Sequence, residues 1–167
     1  MLTNELNYLR YLVKQTEEEE RIEEETHEEL KEIFHPAFMS IISTIGVMGI
    51  LNSTRIQREV REKLSEVQGA YQGVLLNQGE IVAGMGIDRT LRHLQEQGVD
   101  ITNMDVSRVV GDSLQDWTLE ASEQTINRMT GDISGVIESG VREGKSTEEV
   151  IEQLEGKFDG MEKHELN

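Results

Sequence analysis

Apolar residues recur every three or four positions along most of this chain, the spacing of one face of an α-helix. Leu2, Leu6, Leu9, Val13 and Thr16 open it as a narrow seam. Seven glutamates within 17–25, around Arg21 and Ile22, then interrupt the seam, and it resumes at Leu30, Ile33 and Phe34. Helix propensity stays high throughout, so 1–35 reads as one long helical arm with a solvated middle stretch. Pro36 lacks a backbone donor and clashes with the preceding turn, so it is expected to end or kink that helix. Residues 37–51 are apolar on nearly all sides, with Phe38, Ile41, Ile42, Ile45 and Met48 among them. Fifteen helical residues span only ~22 Å, against ~30 Å of bilayer hydrocarbon. The segment reads as a helix buried in a core or between subunits.

From Thr54 to about Leu76, Ile56, Val60, Leu64, Val67, Tyr71 and Leu75 predict another helix, its outer face carrying spaced Arg and Glu. Residues 77–97 continue it, with Gly79, Gly84 and Gly86 allowing kinks or close helix contacts, and Gly98 placed as its stop. After a turn, Thr102 or Asn103 can cap a helix running to about Arg128, with Val110, Leu114 and Trp117 on its buried face. Trp117 is expected to be a core anchor. A shorter helix is predicted over 132–143, ended by Gly144-Lys145. Ser146-Thr-Glu-Glu149 then forms a capping box ahead of Val150, Ile151, Leu154 and Phe158, with a stop at Asp159-Gly160. No alternating run predicts a strand. The expected fold is all-α: a long N-terminal helical arm followed by a multi-helix bundle. The expected divisions are an acidic arm over 1–35, a neutral apolar helix over 36–54 and a helical domain over 55–167.

Charge sharpens this division. The 167 residues carry 33 Asp+Glu against 16 Lys+Arg, a net charge of -17. Residues 1–35 hold 11 acids and 4 bases, whereas 36–54 hold no Asp, Glu, Lys or Arg at all. Such a field would repel a phosphate backbone, so direct nucleic-acid binding is not expected. No cysteine is present, which excludes disulfides, thiolate metal sites and cysteine nucleophiles. Residues 1–7 carry Glu5 and no base, unlike a secretory signal.

The residues offer little chemistry. Glu24-x-x-His27 and Glu32-x-x-His35 match the pattern used by di-iron bundles, but such sites draw those motifs from facing helices and these share one. The glycines at 79, 84 and 86 precede no Gly-Lys-Ser/Thr, and Ile133-Ser-Gly135 lacks the first glycine of a nucleophile elbow. No catalytic residue, cofactor or metal is expected. Partner binding is expected instead, through Leu2, Leu6, Leu9 and Val13 on the arm and Phe38, Ile41, Ile42, Ile45 and Met48 on the neutral helix.

The run from Trp117 to Phe158 has a further feature. Ile137, Gly140, Gly144, Ser146, Glu148-Glu149-Val150, Leu154 and Phe158 stand in an order that resembles the phage head morphogenesis family, the minor head proteins related to the F protein of phage Mu. The resemblance covers about 40 residues, and its elements are also those of ordinary helix-turn-helix chemistry. The family continues after the Phe into an Ala-Arg-Thr-Glu stretch that the sequence does not reach. The resemblance implies a virion component that assembles in the host cytoplasm and contacts portal or capsid subunits. It would act in head assembly or DNA delivery, and it carries over no catalytic residue. Self-association is a further expected contact. The alternatives are a cellular helical adaptor or oligomeric scaffold, and a membrane-inserting protein acting through residues 37–51.

Overall fold

A computed structural model describes the backbone of residues 2–101 and 107–164, and the side chains of 17–101 and 110–161. Among these residues the chain is all-α. Helix α1 (Leu2–Met48) leads through a short 3-10 turn (Ile50–Asn52) into α2 (Ser53–Glu96), followed by α3 (Ser107–Glu143) and α4 (Thr147–His164). A long N-terminal helix therefore enters a bundle. The Thr102 and Asn103 caps lie outside the described residues.

Each helix runs back along the one before it. Phe34 of α1 meets Tyr71 of α2 edge-on at 5.3 Å, and Glu19 meets Arg89 at 3.2 Å. Between α2 and α3, Gln57 donates to Glu138 at 2.6 Å, while Gly79 lies under Leu114. Gly140 packs on Val150 across the α3–α4 turn. The ring closes where Phe38 of α1 stacks on Phe158 of α4, with centroids 4.2 Å apart and planes 2° apart. This is an up-down-up-down arrangement. Helix α4 has 18 residues and α1 has 47, so the fourth helix accompanies the others for only ~27 Å of a helix ~70 Å long.

The apolar core lies in the four-helix end. Phe34, Phe38, Ile41 and Ile45 of α1 meet Ile56 and Leu64 of α2, Met129, Ile133 and Ile137 of α3, and Leu154 and Phe158 of α4. Glycine closes both turns at this end. Gly49, at φ 66, donates its N–H to the Ile45 carbonyl at 2.8 Å, and Gly144 has φ 70. Any side chain at those angles would crowd the carbonyl. Ser146 and Glu149 exchange bonds at 2.7 and 3.2 Å, so the capping box forms as expected. Gly98 follows the end of α2.

Several expectations are corrected. Pro36 does not interrupt α1. It stands on the exposed side of the helix, as does Glu32, whose carbonyl loses its donor and can be solvated instead. The charged stretch is not without a buried face. Ile22, Thr26 and Leu30 are all buried, and they carry the seam down to Phe34 at spacings of four. Thr26 belongs because its hydroxyl donates to the Ile22 carbonyl at 2.6 Å, which removes its need for water. Helix α3 is not split near 128–132. Met129 and Ile133 continue its buried face, and the Thr130 hydroxyl bonds the Ile126 carbonyl at 2.8 Å. Helix α4 does not stop at Asp159-Gly160, because Met161 is buried one turn after Phe158 and draws the helix onward.

Trp117 is not a core anchor, being 56 % exposed. The face that α3 turns inward passes instead through Leu114, Thr118, Ser122 and Ile126. Thr118 and Ser122 are wholly buried, and their hydroxyls bond the Gln115 and Leu119 carbonyls. Beyond α4 the interior thus includes small hydroxylated residues beside Ile22, Leu30 and Ile126, each hydroxyl paired with a carbonyl of its own helix.

Candidate interaction surfaces

Four histidines and a dense set of acids supply the ionisable groups. Among the described residues no three His, Asp or Glu side chains converge as a metal site would require. His27 is half-buried beside Thr26, and its Nδ1 lies out of solvent with no hydrogen-bond partner. Two ion pairs join different helices, Glu19 with Arg89 and Asp132 with Lys157, and others link near neighbours in the chain. Arg21 pairs with Glu25 one turn on, Lys63 with Glu66, and Lys145 with Glu143. The Glu66 carboxylate holds the Lys63 ammonium above its ordinary pKa, by hydrogen bond and by charge. Lys145 and then the Ser139 hydroxyl hold the Glu143 carboxyl below the usual carboxylate range.

The residues expected to meet a partner divide into three groups. The side chains of Leu2, Leu6, Leu9 and Val13 lie outside the described ones. Phe38, Ile41 and Ile45 are taken by the chain's own core, each almost fully buried against α2, α3 and α4. They are therefore unavailable to another molecule in this fold. Their apolarity is spent on intrachain packing, because α4 and the α2–α3 pair cover the face of α1 that carries them. Ile42 and Met48 are partly buried against that same core.

What the neutral segment leaves outside is a different set of residues. Val47 and Leu51 flank the Gly49 turn and are 86 % and 88 % exposed. Met39, two turns before Val47 on the same helix, is also exposed, with exposed Ser43 between them. The α3–α4 turn stands at the same end, since the Thr147 hydroxyl lies 3.6 Å from where a Cβ of residue 49 would be. That neighbour brings exposed Val141 and Arg142, and with them the exposed Glu143 and Glu148. Arg55 and Arg58 emerge on the first turns of α2. The bundle therefore ends in a tip with protruding apolar side chains and no carboxylate from residues 36–54.

The lack of charge marks this segment out in the sequence but does not orient it. A helix apolar on all sides gives no phase to its buried stripe, and only the packing partners choose one. Other exposed apolar residues include Ile81, Val82, Trp117 and Leu119 on α2 and α3, and Val99 just past the end of α2. Compared with family models, with curated proteins and with solved structures, the chain finds no match.

Proposed function

We propose that this chain is a non-enzymatic structural protein of a phage head, a minor component that contacts portal or capsid subunits during head assembly or DNA delivery. The observation that carries the reading is the job done by each residue of the α3–α4 hairpin. Ile137, Val150, Leu154 and Phe158 are core residues, and Gly140 is the close-contact point between the two helices. Gly144 turns the chain at positive φ, and Ser146 with Glu149 starts the next helix. These are the positions at which residues 117–158 resemble the minor head proteins. Each of these positions has a packing, turning or capping job in this fold, and that supports the reading.

Charge supports the same reading. A net -17 disfavours contact with packaged DNA and favours basic protein surfaces, where complementary charge speeds and orients docking. The virion is the proposed location, reached by assembly in the host cytoplasm. The test is to identify the genes flanking this one and to co-express the chain with a neighbouring portal subunit. Adjacent portal or terminase genes, and a portal complex that retains the chain through size exclusion, are expected. A metabolic neighbourhood with no capsid genes would overturn the proposal.

A further inference from the structure

We propose that the half of the bundle beyond the end of α4 is a docking track for a basic amphipathic helix of another protein. Helix α4 sits between α1 and α3, with Phe158 on Phe38, Val150 on Gly140 and Lys157 3.7 Å from Asp132. His164 follows Lys157 by seven residues, about 10 Å, so α4 ends level with Thr125 of α3. Helix α3 runs on for another ~27 Å, to Ser107, and α1 runs on beside it toward Leu2. Among the described residues no fourth helix occupies that stretch.

The core columns of the neighbouring helices continue into it. On α3, Gly140, Ile133 and Ile126 stand seven apart and all are buried. The next residue of that column, Leu119, is 43 % exposed. On α2, across the ring from α4, Val60 is buried, and Val67 and Val74 pack against the core. The next residue of their column, Ile81, is 41 % exposed. No described residue of α2 past Tyr71 is buried. Apolar columns with a seven-residue repeat are what a further helix of a bundle covers.

Charge selects the occupant. Residues 17–32 of α1 hold ten Glu against Arg21 and Lys31, and 110–126 of α3 hold Asp112, Asp116, Glu120 and Glu123 with no base. Residues 77–96 of α2 add Glu80, Asp88 and Glu96 against Arg89 and Arg92. Asp116 and Glu123 stand three residues before and four after Leu119, on one face of α3. Both are exposed and paired with no described residue. A second copy would set this acidic surface against its like. The chain's own basic residues over 55–63, Arg55, Arg58, Arg61 and Lys63 against Glu59 and Glu62, belong to a helix whose apolar face is already used. Its Ile56, Val60 and Leu64 are buried in the core. Lipid headgroups and nucleic acids carry phosphate, which the same field repels. A helix with an apolar stripe flanked by Lys or Arg matches both the columns and their rims. The inference does not rest on the proposed head role, and either can fail without the other.

The test is fluorescence anisotropy of a labelled 18-residue peptide, leucine at heptad a and d positions and lysine elsewhere, titrated with the full chain. Saturable one-to-one binding that weakens as salt rises is expected. A peptide of the same composition with its leucines scattered around the helix should bind about tenfold more weakly or worse. Leu119→Asp should lower affinity by about tenfold or more, although it adds a charge that purely ionic attraction would favour. Trp117→Asp, two residues away on another face, should bind as the parent does. Asp116→Asn with Glu123→Gln should leave the melting transition unchanged and reduce both the affinity and its salt dependence. Absence of binding overturns the inference, as does equal binding of the scattered peptide. A folded Leu119→Asp chain that binds as tightly as the parent also overturns it. If that variant unfolds, the Asp116–Glu123 pair decides by the same criterion. Concentration-dependent dimers in light scattering, lost in Leu119→Asp, would assign the track to a second copy and overturn the inference too.

Discussion

Replacing Gly140 with alanine isolates the contact that sets how closely α3 and α4 approach. Inside an exposed helix, Gly→Ala normally stabilises by about 0.5–1 kcal/mol, because the unfolded chain loses freedom. Gly135, five residues earlier on α3, is exposed and has nothing within 4 Å of its added Cβ. Gly135→Ala should realise that full gain. At 140 the new methyl would fall inside the Val150 side chain, which is wholly buried and stiff at χ1. Relief requires α4 to draw away from α3, loosening Leu154 and Phe158. Overpacking of this kind costs about 1–3 kcal/mol. The two alanine variants should therefore differ by about 1–3 kcal/mol, with Gly140→Ala net neutral to about 2 kcal/mol destabilised. For a chain of this size that separates their Tm values by roughly 2–12 °C. Urea titration followed by circular dichroism at 222 nm measures both. Adding Val150→Ala should make Gly140→Ala favourable again. Equal stabilisation by alanine at 135 and at 140 would refute the close approach of the two helices.

Phe38→Ala should be the most damaging core truncation, costing about 3–5 kcal/mol in the same urea assay, since its ring stacks on both Phe34 and Phe158. Ser146→Ala should cost about 1 kcal/mol, and Glu149→Ala added to it should cost less than its single effect, because the two caps are one reciprocal unit. Glu143 has a depressed pKa, so its contribution is present above the ordinary carboxylate range and fades as pH falls through the folded value. The drop in urea midpoint between about pH 6 and pH 3 should be smaller in Glu143→Gln than in the parent. Glu19→Gln, which removes an exposed pair with Arg89, should shift stability by less than about 1 kcal/mol, and 1 M salt should erase the difference.

The parts legible in the sequence are those encoded locally. The α4 capping box, the Gly144 turn and the Gly98 stop each depend on residues within one turn of one another. The continuity of α1 and α3 was not legible. Thr26, Thr118 and Ser122 occupy buried positions that an apolar pattern counts as polar, and their hydroxyls are satisfied by carbonyls three or four residues back. On α3 this created a competing phase. Leu114, Trp117 and Ala121 offer a helical stripe about as regular as Leu114, Thr118 and Ser122, and the first is the more apolar. Packing chose the second, because small residues let α3 lie close to its neighbours, and Trp117 was left outside.

The expected surface changed for a related reason. Residues 36–54 declare themselves by having no charge, and the sequence alone establishes that this segment differs from everything around it. It also determines the all-α class, through propensity and period, and the stops at Gly98 and Gly144, whereas the break was expected at Pro36 and the structure places it at Gly49. Tertiary structure decided which side of the neutral helix faces inward. Phe38, Ile41 and Ile45 went to the core and Val47 and Leu51 to the tip, because α2, α3 and α4 cover one face of α1 and none of them reaches past the turn. Hydrophobicity is a property of residues, but burial is a property of what stands opposite them.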